Sequence, residues 1–134
     1  MPELLEKALK TRLAALAVPT TTETAFLVSA AVKVPTQTCL VHVRVWAQLT
    51  TGAGTTAVTP RIRRSGAVTG DLVGVAIPET LKAAAGGTEP FVVEAIEERA
   101  DMDMVQYVAT LQQANATGDG SVLQAAIEVE ILGG

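Results

Sequence analysis

Over residues 38–49 the chain alternates, with Cys39, Val41, Val43, Val45, Ala47 and Leu49 on one side and Leu40, His42, Arg44, Trp46 and Gln48 on the other. A period of two is the mark of a β-strand with one face on a core, because successive side chains leave an extended backbone on opposite sides. The same period runs through residues 26–34, where Phe26, Val28, Ala30, Val32 and Val34 share a face, and through residues 104–113, where Val105, Tyr107, Ala109 and Leu111 do. In residues 122–132 the pattern predicts Leu123, Ala125, Ile127, Val129 and Ile131 inward and Gln124, Glu128 and Glu130 outward. Shorter extended stretches are predicted at 57–63, with Val58 and Ile62 on one face, around Gly70 between Val68 and Val73, at 75–77 and at 91–96. Pro60 cannot donate to a ladder, so its strand is expected to be an edge or bulged one.

Between these stretches lie turn signals: Pro19 and the threonines after it, Pro35, the glycines of 52–56, Ser65-Gly66 and residues 115–120. Residues 79–87 read as a loop or one helical turn, and 97–103 as an acidic connection. The N-terminus reads differently. Pro2 suits a first helical position, and Leu4, Leu5, Ala8 and Leu9 stand at helical spacing, which predicts a short helix or mobile arm over residues 1–11. Residues 12–18 fit either a first strand or the end of that helix. The rest, 12–134, is expected to be one domain of about eight short antiparallel strands with no βαβ alternation, an all-β, jelly-roll-like sandwich.

Composition adds a hint about surroundings. Of the 134 residues, 49% are hydrophobic and only 18% charged, against roughly 25% charged in ordinary globular proteins. So thinly charged a surface is expected to be partly hidden against other subunits. The net charge of −4 and the absence of a Lys/Arg run exclude a dedicated nucleic-acid or anionic-membrane binder. No apolar run approaches the roughly 20 residues that span a bilayer, and no basic n-region precedes an apolar h-region. The expectation is a protein made in the cytoplasm that works there or leaves within an assembly.

Candidate chemistry is sparse. Cys39 is the only cysteine, so no intrachain disulfide forms, and on an apolar face it reads as a small core residue. His42 lies three residues on, which on a strand sends the two side chains to opposite faces and rules out a Cys–His pair. No G-x-S-x-G elbow is present. Asp101 and Asp103 form a D-x-D pair without EF-hand spacing, and residues 52–56 lack the lysine and following helix of a phosphate loop. An enzyme on a sandwich scaffold would have only His42 and a nearby carboxylate to work with. We therefore predict no catalytic residue, no metal ligand and no cofactor. Trp46 stands out instead, sharing an outward face with Leu40, His42 and Arg44, where a large aromatic is covered by a loop or by a partner. Arg61 and Arg63 share a face of their strand and need carboxylates opposite, for which Glu94, Glu97, Glu98, Glu128 and Glu130 are available, from this chain or from a neighbouring subunit. Leu40, His42, Arg44, Trp46, Arg61 and Arg63 are the candidate subunit interface.

The run FLVSAAVKV from Phe26, then VHVRVWA, RIRRSG from Arg61, and YVATL from Tyr107 ahead of the last strand, resembles small jelly-roll virion proteins of tailed phages. These are similar in layout to C1q- and tumour-necrosis-factor-like trimers. The resemblance spans residues 12–132 as strand order and texture, and it carries no site residue with it. It implies a homotrimer, made in the host cytoplasm and resident in the virion, that decorates or cements a capsid through contacts with capsid or other virion subunits. A fibre or C1q-like binding module is the alternative. The scarcity of aromatics, 3%, departs from sugar-gripping receptor tips and favours decoration.

Overall fold

Alternating sequence dictates extended backbone, whose hydrogen bonds must then be made between strands rather than within them. A computed structural model describes residues 3–13, 16–17, 22–35, 37–50, 58–64, 70–73, 88–100, 104–113 and 121–133. They form β1 (Glu3–Arg12), β2 (Leu16–Ala17), β3 (Thr24–Val28), β4 (Val32–Lys33), β5 (Cys39–Thr50), β6 (Val58–Arg64), β7 (Leu72–Val73), β8 (Thr88–Arg99), β9 (Met104–Val105), β10 (Tyr107–Gln113) and β11 (Ser121–Gly133). No helix occurs among the described residues, and so none long and apolar enough to cross a membrane. The expectations for residues 52–56, 75–77, 79–87, 101–103 and 115–120 lie outside the described residues.

The first sheet has the order β1-β11-β5-β8, with β2 continuing along the same side of β11 as β1. The second has the order β3-β10-β6-β7, and β4 pairs with β9 in a small third sheet. Every pairing is antiparallel, and neighbours such as β5 and β11 are far apart in sequence. This is the all-β, jelly-roll-like sandwich that the alternation predicts. One core lies between the two main sheets. Val41, Val43, Val45 and Leu49 of β5 and Ile127, Val129 and Ile131 of β11 face Ile62 of β6 and Tyr107, Ala109 and Leu111 of β10. Phe26 of the second sheet meets Phe91 of the first edge-on, with ring centroids 6.4 Å apart. Pro60 pairs with β10 on one side, and β7 on the other reaches only Ile62 and Arg63, so the proline sits where its missing N–H is not asked for.

The structure corrects the pattern reading in four places. Where a short helix or arm was expected over 1–11, the described residues from Glu3 on are no helix: Glu3–Arg12 is a full edge strand of the first sheet. A helix this short is marginal in water, whereas β11 offers Glu3–Arg12 a whole ladder. A register shift between Leu4 and Glu6 puts Leu4 and Leu9, which strict alternation would send to opposite faces, onto the same outward one. Second, the strand expected over 26–34 breaks after Val28. The Ser29 N–H donates to the Tyr107 carbonyl at 2.8 Å and the Tyr107 N–H to Ser29 Oγ at 2.9 Å, and the chain then crosses to the third sheet. Third, β11 carries a bulge between Val122 and Gln124, so Val122 is buried where Leu123 was expected. Fourth, Glu97 and Arg99 belong to β8 and point inward at one end of the sandwich, where Glu97 accepts from Arg64 Nε at 2.6 Å and lies 3.8 Å from Arg99.

Candidate subunit interface

Register sets the outward face of the first sheet row by row. Leu4, Leu132, Leu40 and Glu98 form one row across β1, β11, β5 and β8; Lys7, Glu130, His42 and Ile96 form the next. Leu9, Glu128, Arg44 and Glu94 follow, and then Thr11, Ala126, Trp46 and Val92. Leu4, Leu9, Leu13, Leu40, Val92 and Ile96 are exposed here, with Leu13 at 75%, Ile96 at 61% and Leu9 at 59%. Only two other large hydrophobics among the described residues, Leu72 and Met104, are exposed. β1 is inverted relative to an ordinary sandwich strand. Leu4 and Leu9 point away from the core, while Glu6, Lys10 and Arg12 fall opposite the inward Ile131, Ile127 and Ala125.

A charged belt crosses the middle of this face. Lys7 Nζ lies 3.0 Å from Glu128 Oε2, and Arg44 Nε donates to Glu94 Oε1 at 2.7 Å. His42 stands between two carboxylates, with Nδ1 3.2 Å from Glu130 Oε1 and Nε2 3.5 Å from Glu94 Oε2. Desolvation opposes it, but Arg44 and His42 together hold the Glu94 carboxyl below the usual carboxylate range. The Arg44 guanidinium also sits 5.4 Å from the centroid of the Trp46 ring, in cation–π geometry. Beyond Trp46 lies a shallow groove of about 340 Å³ bordered by Thr11, Leu13, Gln48, Pro90, Val92 and Gln124.

Arg61 and Arg63 are elsewhere, on the outward face of the second sheet. Their charges are met inside the chain by Glu23, which the sequence reading did not single out. Glu23 accepts from Arg63 Nε and Nη2 at 2.5 and 2.9 Å, from Arg61 Nη1 at 3.1 Å and from Thr110 Oγ1 at 2.8 Å. Arg61 also donates to Gln112 at 2.7 Å, and Arg63 to the Gly70 carbonyl at 3.0 Å. The Arg63 hydrogen bond, against the effect of partial burial, holds the Glu23 carboxyl below its ordinary range. The intersubunit ion pairs expected of these arginines are thus made within one subunit. Of the six sequence-selected residues, Leu40, His42, Arg44 and Trp46 share one surface, and Arg61 and Arg63 do not join it.

The other candidate chemistry is dispersed. Cys39 is buried, its thiol donating to the Gln37 carbonyl at 3.1 Å, on the face of β5 opposite His42. His42 does stand beside carboxylates, but on an open sheet face rather than in a deep pocket. No group of three or more metal-ligating side chains suited to an ion occurs among the described residues. At the sandwich end, burial first and the Glu97 charge next push the Tyr107 phenol far above its ordinary range, which keeps it neutral. The sequence reading did not place Leu4 and Leu9 of β1, or Val92 and Ile96 of β8, on this face. Alternation would have found the β8 residues, had 91–99 been read as one continuous run; in β1 the bulge at Leu4/Glu6 breaks the period between Leu4 and Leu9.

No protein-family model matches the chain, and no curated protein matches it. Among solved structures it is similar to a protein of Bacillus endospore appendages, described as disulfide-linked pili, at 17% identity and a TM-score of 0.41, over 96% of this chain and 92% of that one. It is similar to a chain of infectious bursal disease virus, Gt strain, at 7% identity and a TM-score of 0.49, over 92% of this chain and 32% of that one. A third likeness, at 9% identity and a TM-score of 0.44, covers 99% of this chain and 97% of the CBM22-1 xylan-binding domain of Paenibacillus barcinonensis Xyn10C. Likenesses this distant say nothing of activity or partner, and the fold stands on the strand pairing described above.

Proposed function

We propose that the protein is a structural subunit of a virion, a homotrimer that decorates or cements a capsid shell. The observation that carries this reading is the outward face of β1-β11-β5-β8. Six exposed large hydrophobics and a Trp/Arg pair lie together there on a chain otherwise poor in surface charge. Large apolar side chains exposed together around a charged belt favour an interaction surface. Leu40, His42, Arg44 and Trp46 lie in the buried contact, and Arg61 and Arg63 stay outside it because Glu23 already satisfies them. The role is mechanical. Added contact between shell subunits opposes disassembly by mass action, without a reaction or a cofactor. Trimeric symmetry and the virion setting come from the resemblance to phage jelly-roll proteins.

Sedimentation of the purified chain is expected to give the mass of a trimer, and shells made from capsid genes neighbouring its own are expected to bind it. A monomer that ignores such shells overturns the reading. The groove beside Trp46 favours one second reading, a fibre or C1q-like module that takes a surface ligand in that groove. Quenching of Trp46 fluorescence in a glycan screen would select it, since a decoration protein needs no host ligand.

A further inference from the structure

The two edges of the first sheet differ in charge. Among the described residues β1 pairs only with β11 and β8 only with β5, so strands of 10 and 12 residues each keep one side of their backbone without a ladder. An open edge that long is a template for another chain. From residue 7 to 12, β1 carries Lys7, Lys10 and Arg12 and no acid, while from 94 to 98, β8 carries Glu94, Glu97 and Glu98 and no base. Just beyond these stretches the signs reverse, at Glu6 and Arg99. Paired with a second β1, this stretch of β1 sets cation against cation, and β8 against β8 sets acid against acid. Only β1 against β8 brings opposite signs together.

Direction and register agree. β1, β11, β5 and β8 alternate in direction, so β8 of one copy meets β1 of the next antiparallel when the copies are related by an axis along the strands. With Lys7 opposite Glu98, the outward residues stay on one face, and Leu9 falls opposite Ile96, Thr11 opposite Glu94, and Leu13, just past β1, opposite Val92. On the other face Glu6 falls opposite Arg99. This stretch also lies clear of the bulge between Leu4 and Glu6. Slipped by two residues, Lys7 meets Ile96 and Leu9 meets Glu94, which mates charge with hydrocarbon. Slipped by four, Lys7 meets Glu94, which Arg44 already holds, and the exposed Glu98, which forms no ion pair among the described residues, gains no cation.

We infer that three copies join edge to edge, β8 of each lying antiparallel along β1 of the next in this register, so that their first sheets close into one ring. The inference rests on the proposed homotrimer and names the surfaces that build it. A head-to-tail contact between unlike surfaces builds rings, whereas a surface packed on itself builds pairs. The second sheet lies behind the first, so the ring turns the outward face toward its axis and encloses Leu40, His42, Arg44 and Trp46. Three sheets of four strands make a wider ring than the one of about eight whose interior side chains just fill, so the charged belt keeps its water.

The test is disulfide cross-linking of the full chain under mild oxidation, with sedimentation of the wild type beside it. Leu9 and Ile96 are exposed, so cysteine at either leaves the core intact, and the native Cys39 is buried. Within one subunit the two lie three strand spacings, about 14 Å, apart, beyond the reach of about 7 Å between Cα atoms that a disulfide allows. The Leu9→Cys/Ile96→Cys chain is expected to shift from one chain mass to three on a non-reducing gel. An equal mixture of Leu9→Cys with Ile96→Cys is expected to give linked pairs that neither variant gives alone. Leu9→Cys/Val92→Cys, matched to the four-residue slip, is expected to stay unlinked. A wild-type trimer in which the first pair stays unlinked, Leu9→Cys links to itself, or the Val92→Cys chain links instead overturns this inference and leaves the trimer standing. A wild-type monomer, or links that run past three copies, overturns both.

Discussion

The outward faces of the two sheets solve the same problem in opposite ways. On the second sheet, Arg61, Arg63 and Thr110 converge on Glu23 and Arg61 also donates to Gln112, a network in which each of these groups is hydrogen-bonded within the chain. On the first sheet, leucines, Val92 and Ile96 stand exposed around a belt whose carboxylates outnumber its cations. A polar face satisfied within the chain is finished as a monomer surface. An apolar face gains by being covered, which is what the proposed subunit contact would do. Even the edge strand agrees: the β1 bulge serves to place Leu4 and Leu9 on the outward side, a placement that contributes nothing to the core of a single subunit.

The sharpest way to break this contrast is Trp46→Glu. On the proposed contact it is expected to weaken association about 100-fold, the loss of roughly 3 kcal/mol at an aromatic anchor, with the subunit's own unfolding midpoint little changed. Sedimentation and denaturant titration read the two effects separately. Next in size is Glu23→Gln on the other face, with the reverse signature: about 2 kcal/mol lost from folding, the scale of hydrogen bonds to charged groups, and association untouched. Because the Glu23 carboxyl is held below its ordinary range, its contribution is present above the unfolded value and disappears as pH falls through the folded one. Urea midpoints of wild type and Glu23→Gln are therefore expected to differ at pH 7 and to converge only as pH falls below the ordinary carboxylate range. The smallest effect is that of Arg44→Gln on folding. It removes a half-exposed ion pair and a cation–π contact, about 0.5 to 1 kcal/mol together, and salt is expected to shrink that difference.

Much of this was legible because alternation is a local property. The inward residues of β5 and the outward quartet Leu40, His42, Arg44 and Trp46 could be assigned by counting alone, and the coordinates place them so. What could not be counted was any position where the period slips. Bulges at Leu4/Glu6 and Val122/Gln124 each move a side chain to the other face, and nothing in the residues on either side announces the extra one. Glu97 and Arg99 read as a solvated connection because buried charges are rare. They lie inward only because Arg64, from a strand of the other sheet, arrives to meet Glu97. Glu23 was missed for the same reason, since its partners lie 38 to 87 residues away.

From the sequence by itself came the class of element, its inward face and the absence of any catalytic motif, since each depends on neighbours one or two residues apart. Only the tertiary structure decided that residues 3–12 are a strand, that Glu23 rather than a neighbouring subunit answers Arg61 and Arg63, and that His42 stands between Glu130 and Glu94. The physical reason is one and the same. Strand pairing joins residues whose separation along the chain carries no signal, so the partners of a charge, or of an unpaired backbone edge, are settled by the register of the sheet.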